Sequence, residues 1–166
     1  MSSMSTTRIE ERRRWIEREI RKANQKIVHN AKELREVMDR VLKLSQEHAN
    51  LLLVSALWQS YGDLVTGTPV DTGRAQMGWH VSGEVDDWKP PEGEYKRQID
   101  ARIREALEKI STTLQESDVV YIMNNLEYIT ALEAGWSKQS SGFVALFLQQ
   151  VRYRLEKLVE AANRME

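Results

Sequence analysis

The chain contains no cysteine. A disulfide framework, thiol catalysis and cysteine-ligated zinc or iron–sulfur centres are thereby excluded. Histidine is scarce and scattered at His29, His48 and His80, which argues against a histidine-rich metal site. No apolar run approaches the roughly 18 residues that a membrane-spanning helix needs. Residues 1–7 are polar and lack the apolar stretch of about 7–15 residues that marks a secretory signal, so synthesis and assembly in the cytosol are expected. Net charge is almost absent: 24 Lys+Arg face 25 Asp+Glu, giving -1 over 166 residues. That balance removes the case for the whole molecule as a nucleic-acid or anionic-membrane binder.

Glycine and proline are few and unevenly placed. Of 8 Gly and 3 Pro, none precedes Gly62; nine lie between Gly62 and Gly93, and only Gly135 and Gly142 follow. Both residue types interrupt regular structure. The chain therefore divides into an unpunctuated first third, a turn-rich middle and a lightly punctuated second half. The 41% hydrophobic fraction is enough for one core, as the length of a single domain implies.

What fills the first third is helix-forming. Ile16, Ile20, Ala23, Ile27, Ala31, Leu34, Met38, Val41 and Leu44 recur every three or four residues and share one face. Glu10–Arg14, Glu17–Arg21 and Glu36–Arg40 are i,i+4 pairs in the favourable order. Ser5, Thr6 and Thr7 are candidate caps, Thr7 forming a capping box with Glu10. Residues 49–61 are apolar on several faces, implying burial on several sides. The polar patch at residues 45–50 is either a kink between two helices or the exposed face of one. One unbroken helix over residues 7–61 would extend roughly 80 Å, so it either breaks or projects onto another chain. Two units are expected: a helical extension over 1–48 and a folded unit over 49–166.

Charge divides along the same line. Residues 1–40 carry 11 Lys+Arg against 7 Asp+Glu, and the remainder 13 against 18. The basic focus is Arg12, Arg13 and Arg14 with Arg8, Arg18, Arg21 and Lys22. Phosphate contact is one reading. The interleaved Glu10, Glu11, Glu17 and Glu19 favour a solvated, salt-bridged helix face instead.

In the middle, Asp71-Thr72-Gly73 offers a turn in which Gly is free to take positive φ. Residues 74–82 alternate, with Ala75, Met77, Trp79 and Val81 on one side and Gln76, Gly78, His80 and Ser82 on the other, which predicts a half-buried strand. A polar loop follows to Gly93. Residues 94–115 read as a helix, 118–123 as a short strand, 126–134 as a short helix stopped by Gly135, and 143–162 as a closing helix. The fold class expected is α+β: a small antiparallel β-sheet packed by helices, with a long N-terminal helix and a C-terminal helix.

No catalytic constellation emerges. Asp86 and Asp87 read as a surface acidic loop and His80 as a lone histidine on a polar face. The serines near Gly135 form no nucleophile elbow, and the glycines match neither phosphate-loop pattern. No enzyme activity, cofactor or metal is expected. Trp58 and Trp79 read as core; the loop residues Trp88 and Trp136 read as interface candidates, with Arg12, Arg13, Arg14 and Trp15 on the basic helix.

Two segments carry a resemblance. TPVDTGRAQMGWHVS resembles the P-V-D-T-G-x(5)-W signature of tailed-bacteriophage neck and tail-completion proteins, the lambda minor tail protein Z-like family and its prophage relatives. YIMNNLEYITALEAGWSKQSSGFV resembles their second signature, I-x-N-N-x-x-Y-x-x-x-L-E-x-G-x-S-x-Q-x-P-x-G. Pro69, Val70, Asp71, Thr72, Gly73, Arg74 and Trp79 match the first block. Asn124, Asn125, Tyr128, Leu132, Glu133, Gly135, Ser137, Gln139 and Gly142 match the second. Ser140-Ser141 departs from the small residue and proline usual there. The resemblance covers roughly residues 60–163. It implies a virion structural protein, assembled in the bacterial cytoplasm into a ring, expected to be a hexamer, at the head–tail junction. The ring would contact head-closure or connector, tail-terminator or tail-tube proteins and let DNA pass its lumen without sequence-specific binding; no membrane is involved. The rival class is a DNA-binding accessory protein using the basic N-terminal helix. Glu133 is expected to pair with a basic group, Arg74 being the candidate, and the N-terminal helix to pack on a neighbouring subunit.

Overall fold

The computed structural model describes residues 6–117 and 119–164. Ser5, named above as a cap, and Asp118, the expected first strand residue, lie outside them. The long first helix, α1 (Thr6–Val41), ends where residues 42–44 tighten into hydrogen bonds back to Met38, Arg40 and Val41. Ser45 then adopts extended backbone and accepts from the His48 N–H at 3.3 Å, capping α2 (Gln46–Gly67). The polar patch thus holds a break immediately before Gln46, because a serine hydroxyl satisfies an orphan N–H that a continuous helix would not have.

After the break the chain folds back. The C-terminal helix α6 (Phe143–Arg164) lies against both α1 and α2. Val37 and Val41 meet Ala49, Leu53 and Ala56 of α2 and Val151, Leu155 and Val159 of α6 in an all-helical core. Arg152 pairs with Glu33 at 2.9 Å and Arg40 with Glu156 at 3.6 Å along the α1–α6 seam. Asn30, buried between them, donates to the Ala145 carbonyl at 3.2 Å. The second half of α1 is therefore part of the body.

A second core joins Tyr61, Leu64 and Val65 of α2 to Trp79, Val81, Phe143 and α4 (Ile99–Glu116), which contributes Ile99, Ala106 and Ile110. A 3₁₀ turn, Lys96–Gln98, leads into α4. The sheet is minimal: β1 (His80–Ser82) and β2 (Tyr121–Met123) run antiparallel with Val81 opposite Ile122. The protein is predominantly helical, with long helices at both ends and a tiny sheet.

Two expected elements are corrected. The strand over 74–82 is a strand only at its end. Its first residues form the short helix α3 (Arg74–Met77), because Gly73 at φ 83 and the Thr72 hydroxyl, accepting from Arg74 N–H at 3.2 Å, start a helical turn. Gln76 is turned inward and donates to the Val65 carbonyl at 3.0 Å, so the polar side of the supposed alternation is buried too. The helix over 126–134 shrinks to α5 (Ile129–Glu133), since the Asn124 side chain holds the preceding residues in a turn by accepting from Leu126 N–H at 3.2 Å.

Candidate functional site

The two motif blocks, about fifty residues apart in sequence, meet face to face. The first leaves α2 at Thr68, which Pro69 keeps extended. The Thr68 hydroxyl donates to the Leu64 carbonyl at 2.8 Å and accepts from the Trp79 indole N–H at 2.9 Å. Trp79 is buried, lies edge-on to Phe143 at 6.3 Å, and its carbonyl accepts from the Tyr61 hydroxyl at 2.9 Å. Burial pushes the Tyr61 phenol up to about 12, so it stays a neutral donor. At Gly73 a Cβ would lie 2.9 Å from the Lys96 backbone N, beside the bond from Tyr95 N–H to the Thr72 carbonyl.

The second block supplies the reciprocal groups. Gln139 donates to the Val70 carbonyl and accepts from the Val70 N–H, both at 2.7 Å, pairing with that residue as a strand would. Asn124 donates to the Ala75 carbonyl at 2.8 Å, and its amide fills the space that a Cβ on Gly78 would occupy. Ser137 accepts from Gln139 N–H, and Ser140 donates to the Gly67 carbonyl, so the departure at Ser140-Ser141 still closes the loop onto the first block. Gly135 and Gly142, at φ 101 and 68, make the two reversals that no L side chain adopts without strain.

Glu133 is buried and does not reach Arg74. Its carboxylate accepts from the N–H groups of Val144 at 2.8 Å and Ala145 at 3.2 Å, capping α6, while Arg74 donates to the Pro90 carbonyl at 2.9 Å. The expected pairing fails because α6 begins after Gly142, which has no side chain to cap it, and the nearest buried acceptor is Glu133. Desolvation raises the Glu133 carboxyl above its ordinary value, opposed by those backbone donors. The cap was legible in principle: a helix starting behind glycine needs an acceptor from elsewhere.

Between the blocks lies an open cleft of about 220 Å³, lined by Val70, Asp71 and Arg74 on one side and Tyr128, Leu132 and Gln139 on the other. Asp71 and Tyr128 are exposed, while Leu132 packs against the second core. The interface candidates on α1 are partly engaged within the chain: Arg12 stacks 4.6 Å over exposed Trp136, and Arg13 pairs with Glu17 at 3.1 Å. Trp15 remains 44% exposed, and Arg14 is exposed.

A polar cluster at the edge of this site was not read from the sequence. His80 is buried, not on an exposed polar face. Its Nδ1 contacts the Gly78 carbonyl at 2.9 Å and its Nε2 the Asp86 carboxylate at 2.8 Å. Asp86 also accepts from Trp88 N–H and from the Asn125 amide, so it anchors the loop instead of merely decorating it. Those bonds, that from His80 foremost, hold the Asp86 carboxyl below its ordinary value. Nothing in the spacing of a histidine and an aspartate six residues apart signals this.

Among the described residues, no group of three or more His, Cys, Asp or Glu is arranged to hold a metal ion. No described helix is long and apolar enough to cross a membrane. The chemistry of the site is hydrogen bonding and shape: side-chain amides read backbone, and a shallow cleft remains open. Comparison with protein-family models, with curated proteins and with solved structures finds no match to this chain.

Proposed function

We propose that the protein is a virion structural component of a tailed double-stranded DNA phage, forming a ring at the head–tail junction that completes the tail or joins it to the head connector. The observation that carries this reading is the mutual engagement of the two signature blocks. Gln139 on Val70, Asn124 on Ala75 and Ser140 on Gly67 are polar contacts made by matched or adjacent motif positions. Such a signature specifies a rigid body, which suits a subunit repeated in a ring. The role proposed is structural, without catalysis or a cofactor.

The first half of α1 is the natural arm toward a neighbour, with Ile9 and Trp15 exposed on it. The rival reading, DNA binding through residues 8–22, draws less support, because Arg12, Arg13 and Lys22 are engaged by Trp136, Glu17 and Glu19. Native mass spectrometry and negative-stain microscopy of the full chain test the proposal. A closed ring is expected, together with unjoined heads and tails when the gene is removed from its phage. Normally joined particles in that knockout refute it. Deleting residues 1–28, which spares Asn30, Val37 and Val41, is expected to lower the oligomer mass. Salt-sensitive duplex binding by a monomer favours the rival.

A further inference from the structure

The groove between α2 and α4 is apolar and open. Its lining runs from Glu47 to Gln59 on α2 and from Leu107 to Gln115 on α4, around a volume of about 510 Å³. Val54, Trp58 and Leu114 form the floor, half-buried against the cores, while Leu51, 61% exposed, and Leu107 stand out beside them. The Trp58 indole N–H donates to the Ile103 carbonyl at 3.2 Å, so an apolar group seated there leaves no buried donor unmet. The chain's own α1 contributes nothing to this lining: it lies along α5 and α6, with Arg12 over Trp136.

The α2 side of the groove carries charge of one sign. α2 contains no Lys or Arg; its acids are Glu47, which lines the groove, and Asp63, which is tied to Arg154 at 2.7 Å. α4 borders the groove with exposed Glu108 and Glu116, and Arg104 lies a turn before the first lining residue, Leu107. The start of α1 has the opposite balance: residues 8–22 hold 7 Lys+Arg against 4 Asp+Glu. Ile9 and Trp15 are exposed on it, and Arg8 and Arg18, seven residues before Trp15 and three after, share its side of the helix. The α2 lining is about 18 Å long, and residues 7–18 of α1, all but Ile16 exposed, span nearly the same at about 1.5 Å per residue.

We propose that this groove receives residues 7–18 of α1 from a second copy of the chain, with Ile9 and Trp15 seated on Leu51, Val54 and Leu107 and the arginines facing Glu47 and Glu108. An amphipathic helix laid in an apolar groove takes its affinity from a few spaced anchors, and opposite charge at the rim sets its register. Arm and groove are different surfaces of one subunit, so the contact runs head to tail. Every copy gives an arm and receives one, and the series closes into a ring when the rotation per step allows. The assignment rests on the ring reading above and names the two surfaces that the ring would join.

The absence of native cysteine makes the test direct. Full-length Glu11→Cys, at the middle of the arm, and Ser55→Cys, at the middle of the groove, are co-expressed and treated with a short bismaleimide, so a product that joins the two positions spans two subunits. That mixed product is expected. It should be absent from either variant alone and from Glu11→Cys paired with Tyr153→Cys, a position exposed on α6 outside both surfaces. Adding Leu51→Glu to the Ser55→Cys chain, or Trp15→Ala to the Glu11→Cys chain, should abolish the product, and each change made in the wild type should lower the oligomer mass. Rings of wild-type mass that give no mixed product, or a product that survives both changes, overturn the groove and leave the ring reading intact. Glu11→Cys linking to itself as efficiently as to Ser55→Cys also overturns it, because arm would then meet arm. A wild type that stays monomeric and gives no product overturns both. If Leu51→Glu loses its helical circular dichroism, Trp15→Ala, on the exposed arm, decides.

Discussion

Replacing Glu133 by alanine asks whether one buried carboxylate starts the last helix. In the folded protein it receives N–H bonds of 2.8 and 3.2 Å from Val144 and Ala145. Hydrogen bonds to charged groups contribute about 1.5–3 kcal/mol each, and removing a helix N-cap costs about 0.5–2 kcal/mol. Against this stands the desolvation of the carboxylate, visible in its raised pKa, which alanine relieves. The net loss expected is about 2–3 kcal/mol, equivalent to roughly 5–10 °C in Tm for a chain of this size. Urea and thermal unfolding followed by circular dichroism measure it. Glu133→Gln, which keeps one acceptor, should cost less than alanine. A carboxyl whose folded pKa is raised binds its proton more tightly in the folded state, so wild-type stability falls as pH rises from the unfolded value through the folded one. Glutamine has no such dependence, so the deficit of Glu133→Gln should shrink across that window, other carboxylates cancelling in the difference. An alanine variant within about 0.5 kcal/mol of wild type, the error typical of additive comparisons, or a glutamine deficit that grows with pH, refutes the reasoning.

Gly73→Ala combines a φ of 83 with a Cβ 2.9 Å from the Lys96 backbone; the left-handed conformation alone costs about 1–2 kcal/mol, so urea unfolding should show a larger loss than that. Ile110→Ala empties a position with no exposed surface in the second core and should cost about 2–5 kcal/mol by the same measurement. Gln139→Ala removes two 2.7 Å bonds at an exposed site; the stability change should be small, about 1 kcal/mol, but amide exchange at Val70 should accelerate clearly.

Periodicity located the long helices α1, α4 and α6 because each has a stripe that must be buried. Of the three-to-four series on α1, Val41 is buried in the helical core and Leu34 and Met38 pack against it, beside Val37, which lies outside that series; Val151, Leu155 and Val159 of α6 complete the core. The turn at Thr72-Gly73 and the reversals at Gly135 and Gly142 were legible for a local reason, since glycine alone enters left-handed backbone cheaply. The apparent alternation over 74–82 misled because alternation describes a two-faced strand, whereas here Gln76 and His80 are buried through hydrogen bonds to distant or loop partners. Burial of a polar side chain depends on which partner arrives, and no pattern within nine residues records that.

Composition and patterning by themselves determined a cysteine-free, helix-dominated chain with a breaker-rich centre and two motif blocks. Only the tertiary structure decided what those blocks do to each other. It set Gln139 against Val70, turned Glu133 toward α6 instead of Arg74, and closed Asp86 on His80. Helical stripes are short-range and repeat along the chain, so the sequence displays them. A buried polar contact joins two single residues across space, and its partner is chosen only when the helices that carry them have packed.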